Sequence, residues 1–172
     1  MWFIEKIRTT IDGITSINIT TSTNEQTSTE EGTPINPLGV TTEKDLLSMD
    51  EASQMVKYPI NMPSYVPLGF MFDGIYIDDP QSISTSIEIH FSTADVNDKL
   101  IVTQIPTTGA TSFSHNVRGS IEEKTIAVNG SDATLIVFED RVQMIWQYKT
   151  FVFIISGNIN EEEIIKMAES II

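Results

Sequence analysis

From Phe70 the chain changes to a period of two: Phe70, Phe72, Gly74 and Tyr76 alternate with Met71, Asp73, Ile75 and Ile77, and the run closes at Asp78-Asp79-Pro80. Alternation of this kind predicts a strand. Ile87, Ile89 and Phe91 mark one face of a second strand, whose other face carries Ser86, Glu88 and His90. Lys99 to Ile105 is a third strand, stopped by Pro106, and Thr107 to Gly119 reads as a polar loop. Glu123 to Val128 and Ala133 to Phe138 flank Asn129-Gly130-Ser131-Asp132. An Asn-Gly pair between strand-like runs is a strong hairpin signal. Val142, Met144, Trp146 and Tyr148 line one face of a further strand, and the apolar run Phe151 to Ile155 has the length of a buried one.

Helical patterns bracket these strands. Ser48-Met49-Asp50-Glu51 predicts a capping box, Ser48 at the N-cap and Glu51 at the third helical position. Ala52, Met55 and Val56 follow as an apolar stripe that must stop before Pro59. Asn61 to Phe70, punctuated by Pro63, Pro67 and Gly69, predicts a stiff extended loop. At the other end Asn160 is a good N-cap, Glu161-Glu162-Glu163 meets the positive end of the helix dipole, and Ile164, Ile165, Ala168 and Ile171 form a core-facing stripe. No strand is followed by a crossover helix, so a parallel sheet is disfavoured. The expected fold is α+β: a curved antiparallel sheet of about six to seven strands packed by an N-terminal and a C-terminal helix.

Upstream, Trp2, Phe3, Ile4, Ile7 and Ile11 suit an amphipathic helix, while Ile14, Ile17 and Ile19 suit an extended end. Residues 9–42 hold 14 Ser or Thr in 34 positions, and Thr20 to Gly32 contains no apolar residue, which predicts a flexible, protease-sensitive linker. The expected organisation is therefore an N-terminal helix or stalk over 1–19, a Ser/Thr-rich linker over 20–45, and a single α+β domain over 46–172.

The chain has 172 residues with 10 Lys+Arg against 24 Asp+Glu, a formal net charge of −14. That balance argues against nucleic acid or an anionic membrane surface as partner. With no cysteine, a disulfide scaffold, a cysteine zinc site, an iron–sulfur cluster and a cysteine nucleophile are excluded. No stretch approaches the ~18–20 apolar residues of a membrane span. Met1 to Arg8 is too short and too charged for the apolar region of a signal peptide. The expectation is a cytoplasmic protein or the soluble part of a larger one. The lack of cysteine leans toward the outer face of a Gram-positive cell, with a possible membrane tether upstream of residue 1.

Candidate chemistry is sparse. His90 and His115 fall on a strand's polar face and in a polar loop, and read as solvent-exposed. No Gly-x-Ser-x-Gly elbow and no Gly-rich phosphate loop occurs. Asp78-Asp79 and Asp95-Val96-Asn97-Asp98 are oxygen-rich turns, which turn chemistry explains without calcium. Asn18-Ile19-Thr20 and Asn129-Gly130-Ser131 match the glycosylation pattern, the second being better explained as a turn. Trp146 with Phe138, Tyr148, Phe151 and Phe153 reads as core in preference to a ligand cavity. Catalytic, metal-ligating and cofactor-binding residues are expected to be absent, and the protein is not expected to be an enzyme.

One segment carries a resemblance. Residues 49–70, with Pro63-Ser64-Tyr65-Val66-Pro67-Leu68-Gly69-Phe70, resemble the opening of an uncharacterised bacterial domain found mainly in Firmicutes. There a short Glu-Ala-containing helix leads into a Pro-x-Tyr-x-Pro-x-Gly-Phe/Tyr loop. Met144-Ile145-Trp146-Gln147 resembles its tryptophan strand, and Phe151 to Ile171 its closing strand, glycine turn at Gly157 and helix ending in Ala168-Glu169-Ser170. The likeness covers about residues 46–172. More distantly, Pro67-Leu68-Gly69-Phe70 and Ala168-Glu169-Ser170-Ile171 are similar to pieces of the small domain of periplasmic regulators that bind an anti-sigma factor. The resemblance implies the outer part of a membrane-anchored anti-sigma-factor-like protein or lipoprotein. It implies an extracytoplasmic sensory or protein-interaction domain, with another envelope protein, possibly basic, as partner and no cofactor. Its signature residues (Pro63, Tyr65, Pro67, Gly69, Phe70, Trp146, Gly157, Ala168 and Ser170) carry structure and no active site. The rival reading is a carrier for a lipid or other apolar ligand.

Overall fold

A computed structural model describes residues 3–11, 14–22, 46–82, 85–94, 98–107 and 111–172. In chain order the elements are β1 (Phe3–Ile11), β2 (Ile14–Ser22), α1 (Met49–Met55), β3 (Met71–Ile77), β4 (Ile87–Ser92), β5 (Lys99–Pro106), β6 (Thr111–Arg118), β7 (Glu122–Val128), β8 (Ser131–Val137), β9 (Val142–Tyr148), β10 (Phe151–Gly157) and α2 (Glu161–Glu169). They fall into two compact units, one of residues 1–39 and 107–120, the other of residues 40–106 and 121–172.

The larger unit is a seven-stranded antiparallel sheet in the order β3-β4-β5-β10-β9-β8-β7, which does not close, with two helices. The fold is α+β, as the pattern predicts. Asn129 and Gly130 adopt φ of 50° and 78° between β7 and β8, the conformation that an Asn-Gly hairpin turn needs. Ser48 and Glu51 close the capping box of α1, with the Ser48 N–H donating to Glu51 Oε2 at 2.9 Å and the Glu51 N–H to Ser48 Oγ at 3.3 Å. Asn160 caps α2 by accepting from the Glu163 N–H at 2.9 Å.

One core cluster joins both helices to one face of this sheet, with Ala52, Ile75, Ile89, Met144, Phe153 and Ile164 among its buried members. Met55, assigned to the apolar stripe of α1, is instead 43% exposed, because α1 ends there and the chain turns extended at Val56. In α2 the stripe is carried by Ile164, Met167, Ala168 and Ile171, and Ile165 is only partly buried. β10 is buried at all seven positions, which is why it reads as an unbroken apolar run.

Strict alternation fails in β3. Phe72 stands opposite Phe91 and Ile75 opposite Ile89, three residues apart yet on the same face, because a bulge shifts the register between Phe72 and Gly74. The extra residue is Asp73, and Gly74 allows the close approach of the chain before α1. A Cβ on Gly74 would lie 2.8 Å from Leu46 Cβ and 3.0 Å from the Leu47 carbonyl oxygen. Leu47 forms an antiparallel bridge with Ile75, covering part of the β3 edge. β5 lies between β4 and β10, so it offers no free edge.

The smaller unit corrects two expectations. Residues 3–11 form a strand, not a helix, and pair with β2, Ile11 opposite Ile14. A spacing of four, as in Phe3, Ile7 and Ile11, satisfies an even period as well as a helical one, so the apolar positions alone do not choose. Asp-Gly, the dipeptide at 12–13 in the sequence, is a type that hairpins favour, but the pairing with β2 is what selects the strand. The stretch read as a polar loop contains β6, which pairs with β2 so that Ile17 faces His115; the three strands run in the order β1-β2-β6. Its signal is weak because threonine, serine, histidine, asparagine and arginine fill six of its eight positions. Most of the proposed linker, residues 23–45, lies outside the described residues, as do positions 95–97 of the second oxygen-rich turn.

Neither histidine is solvent-exposed. His90 is 8% and His115 5% accessible. The polar face of β4 is an interior position of the sheet, with Tyr76 and Thr103 on either side of Glu88. There His90 Nε2 lies 3.0 Å from Glu88 Oε2, and Glu88 is itself buried.

Candidate functional site

The segment from Pro59 to Phe70 has no repeating backbone hydrogen bonds of its own, so its polar groups must find partners elsewhere. It finds them on the sheet and on α2. Gln104, on β5 opposite Ile87 and Phe153, is fully buried and holds both sides of the segment's start. Its Nε2 donates to the Pro59 carbonyl at 2.8 Å, and its Oε1 accepts from the Asn61 N–H at 2.9 Å. A buried glutamine amide in the core-facing row is satisfied only by this arrangement. Sequence reasoning passed over Gln104; its one signal is a polar residue within the apolar run Leu100 to Ile105.

Further on, the segment lies along α2 as a strap. The Tyr65 N–H donates to Ser170 Oγ at 3.1 Å, and the Ser170 hydroxyl donates to the Met167 carbonyl at 2.7 Å. The Ser170 carbonyl accepts from the Ser64 hydroxyl at 3.3 Å. The Tyr65 hydroxyl then reaches Glu163 near the start of the helix, so one tyrosine ties the strap to both ends of α2. That bond to a carboxylate raises the Tyr65 phenol pKa above its ordinary 10.0. Pro63 and Pro67 are buried beneath the strap, where fixed φ limits the backbone freedom lost on ordering.

At the tip, Pro67-Leu68-Gly69-Phe70 is a tight turn in which the Phe70 N–H donates to the Pro67 carbonyl at 3.2 Å. Gly69, at the third position with φ 94°, supplies the positive φ of a type II turn. Leu68 therefore projects fully into solvent. Beside it lies an open groove of about 590 Å³, lined on one side by Pro67, Leu68 and Phe70 and on the other by Asn158, Ile159 and Glu163.

The remaining signature residues support this surface from below. Trp146 is fully buried and stacks on Phe153, ring centroids 5.1 Å apart at 21°, and its Nε1 has no hydrogen-bond partner among the described residues. Phe138, Phe151 and Phe153 are buried as well, and Tyr148 packs against the core from its margin. Gly157 stands in a row that crosses the sheet as Phe72, Phe91, Leu100, Gly157 and Val142. Leu100 fills the space above it: a Cβ there would meet Leu100 Cδ1 at 2.7 Å. Ala168 is buried in the α2 stripe. Asn129, beyond its turn role, donates from Nδ2 to the Glu169 and Ile171 carbonyls at 3.2 and 2.9 Å, capping the end of α2. Thus the structure brings Pro63, Tyr65, Pro67, Gly69, Phe70 and Ser170 together in the strap. Trp146, Gly157 and Ala168 lie in the packing below.

Charge at the groove is uneven. Glu161 pairs with Lys124 at 2.9 Å and Glu162 with Lys166 at 2.7 Å. Glu163 accepts from a neutral phenol and has no ion-pair partner among the described residues. On the same rim Asn158 Nδ2 donates to Asp98 Oδ1 at 3.1 Å.

Residues 61–171 match the model of a domain of unknown function, DUF4367. No curated protein matches the chain at a significant level.

Proposed function

This chain belongs to the DUF4367 family of uncharacterised domains, and from that premise we propose that it is an extracytoplasmic sensory or protein-interaction domain. In this reading it is the non-catalytic outer part of a membrane-associated regulator of sigma-factor or envelope-stress signalling, and its partner is another envelope protein. The location and partner class come from the resemblance of the entry loop, tryptophan strand and closing helix. The observation that carries the interaction reading is what the signature residues do. Tyr65 and Ser170 fasten the strap to α2, Gly69 shapes its tip, and the product is a surface that presents Leu68 to solvent beside a groove. A rigid scaffold that displays an exposed apolar side chain is how recognition sites are commonly built.

The test is recovery of partners from bacterial envelope extracts on the immobilised chain. The reading expects a membrane-associated regulator or protease, retained at low salt and less at high salt, since a chain at −14 steers its partners electrostatically. Co-purified lipid with no protein partner would favour the carrier instead. Turnover of ester, peptide or glycoside substrates would overturn both.

A further inference from the structure

A single exposed leucine is ordinary on a protein surface. Leu68 differs because it borders a groove that Phe70 and Ile159 also line. Phe70 lines the groove, and Phe72 is 40% exposed at the end of the row that leads through Phe91 into the core. Phe72 also rests edge-on against Phe91, ring centroids 6.0 Å apart, so it is held in place while part of it meets solvent. Such a surface offers a side chain of a partner both a wall and a floor.

The rim adds a sign. Of the three carboxylates that open α2, Glu161 pairs with Lys124, which Glu122 shares, and Glu162 pairs with Lys166, while Glu163, the one lining the groove, has no ion pair among the described residues. Asp98 stands behind Asn158 on the same rim. A cation placed over the groove would gain an ion pair with Glu163 without breaking an existing one. Anionic lipid headgroups would meet the same carboxylates as repulsion. A two-fold contact with a second copy would bring each rim against its own like charge.

We propose that this groove takes an extended segment of a partner protein in which a large apolar side chain neighbours a lysine or arginine. The inference rests on the protein-interaction reading and assigns its surface. The apolar side chain lies against Leu68, Phe70 and Ile159, and the cation pairs with Glu163.

The test uses the full chain and short dye-labelled peptides followed by fluorescence anisotropy: one alternating Leu with Lys, one Ser with Lys, one Leu with Glu. The Leu–Lys peptide is expected to bind and the other two are not. Leu68→Ser should weaken binding by about tenfold or more, the loss expected when a leucine's burial is removed. Glu163→Gln, which still accepts from Tyr65, should weaken it several-fold and flatten its salt dependence. Leu68 touches nothing that a fold would miss, and unchanged thermal unfolding of Leu68→Ser confirms that only the surface changed. The small loss of stability expected of Glu163→Gln is measured the same way, and its binding is read at a temperature where it is fully folded. Equal binding of the Ser–Lys peptide, or binding indifferent to Leu68→Ser, would overturn the proposal. So would self-association in sedimentation that Leu68→Ser abolishes, or Leu68-dependent binding to phosphatidylglycerol vesicles. If an envelope partner binds the wild type and both variants equally, the groove assignment falls while the protein-interaction reading stands. If only lipid is recovered, that reading falls itself.

Discussion

The backbone N–H of Tyr65 and the side-chain oxygen of Ser170 meet at 3.1 Å, joining residues 105 positions apart in sequence. With the Ser64 hydroxyl bonded to the Ser170 carbonyl beside it, this bond sets where the strap lies on α2. Ser170→Ala leaves the Tyr65 N–H, part-buried, without that acceptor, which costs about 1–3 kcal/mol. Ser170→Thr keeps the oxygen and should recover most of the loss. Chemical denaturation of the three proteins checks this, and the order wild type, Thr, Ala is the expected outcome.

Tyr65 also predicts a pH dependence. Its hydrogen bond to Glu163 raises the phenol pKa in the folded chain above the ordinary 10.0. A group whose folded pKa is raised stabilises the fold fully below its unfolded value and loses that contribution as pH rises through the folded one. The strap should therefore loosen only in strongly alkaline solution. Of the four tyrosines, Tyr58 is also shifted upward, by burial. Ultraviolet titration should show late-ionising tyrosine that Tyr65→Phe reduces, and an alkaline limb of stability that the same variant makes shallower. A titration unchanged by Tyr65→Phe would contradict the bond.

Gly157 is predicted to tolerate no side chain at full stability. Alanine would place its Cβ 2.7 Å from Leu100 Cδ1 and 3.0 Å from the Lys99 carbonyl oxygen. Overpacking of this kind costs roughly 1–3 kcal/mol. Adding Leu100→Ala relieves the first contact and leaves the second, so the double variant should fall short of additivity without regaining wild-type stability. Additive losses in thermal unfolding would show that the two residues do not share that space.

Trp146 should emit blue-shifted fluorescence that iodide does not quench, because it is fully buried against Phe153. The measurement needs Trp2→Phe, since the chain has two tryptophans. Trp146→Ala should cost roughly 3–5 kcal/mol. Trp146→Phe should cost less, as its Nε1 gives up no hydrogen bond to any of the described residues.

Local signals in the sequence determined much of this protein. Ser48 with Glu51, Asn160 with the acids after it, and Asn129-Gly130 each act over a few residues, and each forms the cap or turn that its chemistry demands. Period-two runs were enough to set the antiparallel α+β architecture. The tertiary structure alone decided what depends on distant partners. Residues 3–11 carry a spacing that suits helix and strand equally, and pairing with β2 selects the strand. β6 has few apolar side chains and takes its place from a partner strand on the far side of the chain, Ile17 against His115. His90 and Glu88 look like a solvent face until β3 and β5 flank them. The candidate site divides the same way. Pro67-Leu68-Gly69-Phe70 is a turn by its own sequence, but Gln104, Glu163 and Ser170 become its anchors only when β5 and α2 are brought against it. Hydrogen-bond partners chosen across the fold leave no periodicity in the sequence, because each is one residue answering one backbone group.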